Sequence, residues 1–144
     1  MKIIGFNFSK ISAEKIKDID GKFEVKTNLE INKIEKHSID LVSKNVANAA
    51  KVDFKFSVLY EPGFAKIFLE GFVLLMLEDA PFKELIKKWK NKKIQDEIRL
   101  PLFNFIMSKS NIKSLQFEEE FALPTHIPMP RLTAEPNKNS NYHG

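Results

Sequence analysis

The stretch from residue 52 to residue 77 constrains the fold of this chain more than any other. Val52, Phe54, Phe56, Val58 and Tyr60 alternate with Asp53, Lys55 and Ser57. A period of two turns one face of a β-strand toward a core and the other toward water. The run stops at Glu61-Pro62-Gly63. Proline presets φ for a turn and glycine accepts φ > 0, so the chain is expected to reverse into a hairpin partner from Phe64. That partner has little polar face. Ala65, Ile67, Leu69 and Val73 fall on one side, and Phe68, Phe72, Leu74 and Met76 on the other. A strand apolar on both faces is either central in its sheet or covered by another subunit.

Further strands precede this hairpin. Ile4, Phe6 and Phe8 alternate, Asp18-Ile19-Asp20-Gly21 signals a turn, and Phe23, Val25, Thr27, Leu29 and Ile31 form a longer alternating run. Residues 38–42 are a short run of open type, and the pattern loosens through residues 45–49. Helices follow the hairpin. Asp79 is the expected N-cap with Pro81 in the first turn, and Phe82, Leu85, Ile86 and Trp89 share one helical face. Ile98, Leu102, Phe105 and Ile106 repeat that spacing. Proline is tolerated near a helix start or at a kink, so this second helix is predicted to run from about Pro101 to about Ser110. Leu115-Gln116-Phe117 reads as a brief extended piece, and the prolines at 124, 128 and 130 make their segment polyproline-like. Strands followed by helices define an α+β fold: an antiparallel sheet of about four strands with two helices packed on one side. Residues 1–132 are expected to form a single domain, and residues 133–144 a disordered C-terminal tail.

Composition narrows the function classes. With 43% hydrophobic residues over 144 positions, including thirteen Phe, the chain can build one core and is not wholesale disordered. It has no Cys. That removes disulfides, thiolate catalysis and Cys-based zinc sites, and fits a reducing, cytoplasmic setting. The longest strongly apolar run, residues 71–77, is too short to cross a bilayer, so no membrane insertion is expected. His37 lies near Glu35 and Asp40 but without a nucleophile motif, and the histidines at 37, 126 and 143 lack metal-ligand spacing. The Asp18-Ile19-Asp20-Gly21 turn lacks the remaining ligands of a calcium loop. Five glycines form neither a phosphate loop nor a dinucleotide fingerprint. The expectation is a non-enzymatic binding protein with no catalytic residue, metal or cofactor.

Two surfaces could do the binding. A Lys-rich helix over residues 83–93 carries Lys83, Lys87, Lys88, Lys90, Lys92 and Lys93, a surface that nucleic acid or a ribosome could use. A solvated helix face is the simpler reading, since no arginine there offers a bidentate fork. Phe54, Phe56 and Tyr60 could stack bases, yet they share a face with Val52 and Val58, which favours core. The Phe68, Phe72, Leu74 and Met76 face exceeds the needs of one core. It is a groove, an oligomer interface or the helix-covered side.

Taken in order, Phe56-Ser57-Val58-Leu59-Tyr60, the turn and Ala65, Leu69-Glu70-Gly71-Phe72, and Leu100-Pro101-Leu102-Phe103-Asn104-Phe105-Ile106 resemble the SecB family of protein-export chaperones. The resemblance covers residues 52–123. It implies a homotetramer whose grooves bind extended, unfolded or non-native polypeptide, with Phe68, Phe72, Leu74 and Met76 contributing to the polypeptide-binding surface. SecB proteins are strongly acidic, whereas this chain carries +4 with a pI near 9.2. Docking to a translocase through an acidic surface is therefore not implied. The alternative remains a nucleic-acid or ribosome-binding module using the lysine-rich helix.

Overall fold

The computed structural model describes residues 1–38 and 48–134; most of the short run at 38–42 and the tail beyond 134 lie outside the described residues. Four strands, β1 (Lys2–Lys15), β2 (Glu24–His37), β3 (Asn48–Glu61) and β4 (Ala65–Leu77), are followed by helices α1 (Asp79–Trp89) and α2 (Asp96–Glu120). All neighbouring strands are antiparallel, in the order β1-β4-β3-β2. The expected α+β architecture is the one observed.

The 52–77 hairpin forms the centre of the sheet, with β4 apolar on its outward face as well as toward the core. β1 and β2 are consecutive in sequence yet sit on opposite edges. The connection between them passes the hairpin's tip, where the Ile16 and Lys17 N–H groups donate to Phe64 O at 2.8 and 3.2 Å. Both edge strands shift register, β1 between Ile3/Gly5 and Phe8/Lys10 and β2 between Ile31/Lys33. An extra residue inverts the faces beyond it. Ile3 consequently packs on the core beside Phe6 and Phe8, and the expected Ile4 is 37% exposed. Phe23, expected in the second strand, precedes it and is exposed.

One face of the sheet carries the core. Beneath α1 and the first half of α2, Val52, Phe54, Val73 and Leu75 meet Phe82, Leu85, Ile98, Leu102 and Ile106. Phe56, Val58, Tyr60, Ile67, Leu69 and Leu123 form a second cluster toward the C-terminal end of α2. Phe54, Phe56 and Tyr60 are therefore core, as their shared face with Val52 and Val58 predicts. Phe54 stacks on Phe6 with centroids 5.7 Å apart. Gly71 makes that ring placement possible, because a Cβ there would meet both the Asn7 carbonyl oxygen and the Phe54 ring.

The helix boundaries depart from expectation. Glu78, not Asp79, occupies the N-cap of α1. Asp79 lies in the first turn, where its carboxylate takes Lys83 at 2.9 Å and the Asn48 amide at 3.1 Å instead of capping. α2 begins five residues before Pro101 and continues ten residues past Ser110, so Leu115-Gln116-Phe117 is helical rather than extended. Its first turn is set by Gln95, whose carbonyl accepts from Ile98 and Arg99, and by the Arg99–Asp96 pair at 2.9 Å. Pro101 lies inside the helix. The buried stripe of α2 runs Ile98, Leu102, Ile106, Ser110, Ser114, Glu118, one residue in every four. Such a ridge packs a helix onto its neighbour, yet it changes here from aliphatic to serine to glutamate, so the apolar period fades while the helix continues.

Candidate functional site

Phe68, Phe72, Leu74 and Met76 lie at alternate positions of central β4, on the face turned away from both helices. Neither core cluster includes them. Phe68 is 40% exposed, and the other three are half-buried within the sheet's own surface. Cross-strand register fixes their surroundings. Ser57 and Ser12 flank Phe68, Asp53 and Asn7 flank Phe72, Lys51 and Gly5 flank Leu74, and Ala49 and Lys2 flank Met76. The result is an apolar stripe one strand wide between mostly polar strands. At about 3.3 Å per residue, the eight steps from Phe68 to Met76 span roughly 26 Å.

Charge frames this stripe. Lys51 Nζ sits 4.7 Å from the Phe72 centroid, and Lys55–Glu70 and Lys66–Glu14 pair at 3.6 Å across adjacent strands. Beside Phe68 a concavity of about 340 Å³ is bounded by Asn28, Glu30, Lys55, Ser57 and Glu70. Apolar and polar contacts thus alternate along a length suited to one extended chain.

The six lysines of the second candidate surface are all exposed. They do not share one helix, because α1 ends at Trp89 and Lys90, Lys92 and Lys93 lie beyond it. Lys92 adopts φ 58 and donates to Trp89 O, while Lys93 donates to Lys88 O. These paired bonds close the helix as a Schellman motif, with lysine where glycine is usual. Several charges are engaged. Lys83 pairs with Asp79, Lys88 with Glu84 at 3.1 Å, and Lys92 Nζ lies 4.5 Å from the Trp89 ring centroid.

A buried polar cluster escaped the sequence reading. After α2, Ala122 takes φ 52 and Leu123 N–H returns to Glu118 O, turning the chain back over the core. The Glu118 carboxylate, wholly buried, accepts from the His126 backbone N–H at 2.6 Å and from His126 Nδ1 at 2.8 Å. His126 Nε2 lies 2.8 Å from Asn111 Oδ1, and the Tyr60 hydroxyl donates to Pro124 O. Burial first, and then the Glu118 charge, raises the Tyr60 phenol well above its ordinary range. These bonds pin the proline-rich segment as a strap across the sheet up to His126. Its members come from β3, α2 and the strap, so no local spacing could have announced them. Near His37, Glu35 is engaged by Lys33 at 3.1 Å. No group of three or more His, Cys, Asp or Glu among the described residues could hold a metal ion, and no helix among them is long and apolar enough to cross a membrane.

No protein-family model matches this sequence, and no curated protein matches it significantly. The fold does have a solved counterpart. A SecB-like chaperone from Mycobacterium tuberculosis, Rv1957, determined in complex with a ChAD peptide from the Rv1956 HigA1 antitoxin, superposes with a TM-score of 0.57. The two share 12% sequence identity, and the match covers 93% of this chain and 91% of the other. The chain therefore has the fold of a SecB-like chaperone over nearly its whole length.

Proposed function

We propose that this protein is a SecB-like chaperone that holds unfolded or non-native polypeptide along the open face of its sheet. The observation that carries the reading is the stripe of Phe68, Phe72, Leu74 and Met76, uncovered by either helix, on a fold shared with a chaperone solved with a peptide bound. Flat aromatic and flexible thioether side chains adapt to many apolar sequences. The outer edges of β1 and β2, unpaired among the described residues, offer backbone hydrogen bonds to an extended client. The same reading takes the protein to be a cytoplasmic homotetramer.

Substituting Phe72 and Met76 by Ser removes apolar surface without touching the core. Loss of binding to a reduced, unfolded model polypeptide, with circular dichroism unchanged, is the expected result; undiminished binding by the folded variant would refute the site. Nucleic-acid binding through the lysines is the less favoured reading, because Lys83, Lys88 and Lys92 already have intramolecular partners. Salt separates the two, since phosphate contacts weaken steeply with ionic strength and apolar contacts do not.

A further inference from the structure

The strap continues beyond its anchor. His126 is tied to Glu118, but from Pro128 to Ala134 every residue is exposed and none belongs to a helix or strand. Two of these residues are large and apolar. Met129 is 53% exposed, and Leu132, at 90%, is the most exposed large apolar side chain among the described residues. Pro128 and Pro130 lack N–H donors and bias their neighbours toward extended geometry, so the segment is kept out of both helix and sheet interior. A polyproline helix turns once in three residues, about 9 Å, which projects Met129 and Leu132 to the same side. The chain thus presents an extended apolar segment of the kind its own β4 stripe is suited to hold. We infer that residues 127–134 dock on the open face of a second copy of this chain, Met129 and Leu132 on the Phe68–Met76 stripe and Arg131 beside Glu30, so that the protein is its own competing ligand. The inference rests on the open-face reading and adds the regulation of that site.

Length, charge and placement select this occupant. At the polyproline rise of about 3.1 Å per residue the segment spans roughly 25 Å, close to the length of the stripe. Arg131 is the one formally charged residue from Phe121 to Ala134, and it has no acidic partner among the described residues. Glu30, exposed at the concavity beside Phe68, has no basic partner among them. The anchor fixes which copy is reached. His126 packs on Phe56, on the core side, so the sheet lies between the strap and its own stripe. Rounding the sheet edge would use up most of the roughly 25 Å the segment spans, whereas the stripe of a second copy takes it whole. In a two-fold pair each strap enters the other's stripe, and the second contact forms at high effective concentration. A client still displaces the strap, because positions 128 and 130 donate no backbone hydrogen bond to a sheet edge and a client's residues do.

A dye-labelled peptide of residues 124–134 is titrated against the full chain by fluorescence anisotropy. Saturable binding is expected, displaced by a reduced, unfolded model polypeptide. Phe72→Ser with Met76→Ser should weaken the peptide by roughly tenfold, because two apolar contacts are lost. Glu30→Lys should weaken it by about threefold, the scale of an exposed ion pair, and a peptide carrying Arg131→Glu should recover that loss. In the full chain, Met129→Ser with Leu132→Ser alters only exposed positions and should tighten binding of the unfolded polypeptide by about threefold as self-competition is lifted. No peptide binding, binding indifferent to Phe72→Ser with Met76→Ser, or a full-chain strap variant that takes the polypeptide no more tightly would overturn the inference. The two readings fail differently. If the β4 variant loses the strap peptide and keeps the polypeptide, the open-face reading falls; if it loses the polypeptide and the strap peptide never binds, only the strap inference falls.

Discussion

Gly71 shows how one missing side chain organises the sheet. It sits where β1, β3 and β4 converge, paired with Phe8 on one side and Phe54 on the other. A methyl group at this position would press on the Asn7 carbonyl and the Phe54 ring together. Gly71→Ala is therefore expected to lower stability by roughly 1–3 kcal/mol through forced displacement of close-packed neighbours, seen as a lower urea midpoint. Tyr60 is a second position with a testable signature. Its phenol is 1% exposed and is raised above its reference value of 10.0. The native state thus keeps a proton that the unfolded chain begins to release near pH 10, and the stability from this group is full below that pH and declines as pH rises above it. Chemical denaturation across this alkaline range should show the wild type losing stability faster than Tyr60→Phe. That variant starts lower by about 1 kcal/mol for the lost bond to Pro124; parallel declines would contradict the account.

At the scale of elements, the central hairpin was legible because burial alternates with a period of two along both of its strands, and its turn residues are sequence-local. The edge strands were legible in type and blurred in face: the register shifts near Ile4 and Ser9 swap Ile3 for Ile4 without leaving a compositional mark. Helix α2 was half legible. Its buried ridge turns to Ser110 and Ser114, both fully buried with hydroxyl oxygens that find no partner among the described residues, so a search for apolar spacing ends too early. Small side chains at these positions let the helix lie close to the sheet, and the price is two unsatisfied hydroxyls. Replacing either serine by Ala keeps the small volume and removes the unpaired group. Thermal unfolding should show stability unchanged or raised by about 1 kcal/mol; a clear loss would mean the hydroxyl has a partner in solution. The strap was legible as non-helical from its prolines, but its anchoring was not, because Glu118, Asn111 and Tyr60 reach His126 from distant parts of the chain.

For the molecule as a whole, the order of strands and helices gave the α+β class and short motifs within it the likeness to SecB, and the solved counterpart shares that fold at 12% identity, while no family model or curated protein matches the sequence. Two such different sequences can share a fold because it depends on which positions are buried more than on which residues fill them. Surface chemistry is not constrained in the same way. The net charge of +4 comes from 23 basic and 19 acidic residues spread along the chain, and the polar strands flanking β4 frame the candidate stripe only once register places them. The candidate stripe was legible as a surplus of apolar residues on a two-faced strand.

The most direct test of the central claim is the solution mass of the protein by light scattering, alone and with a reduced, unfolded model polypeptide, at low and high salt. The account predicts a tetramer whose mass rises on addition of the polypeptide at both salt concentrations. A monomer that ignores the polypeptide, or an increase in mass that vanishes at high salt, would contradict it.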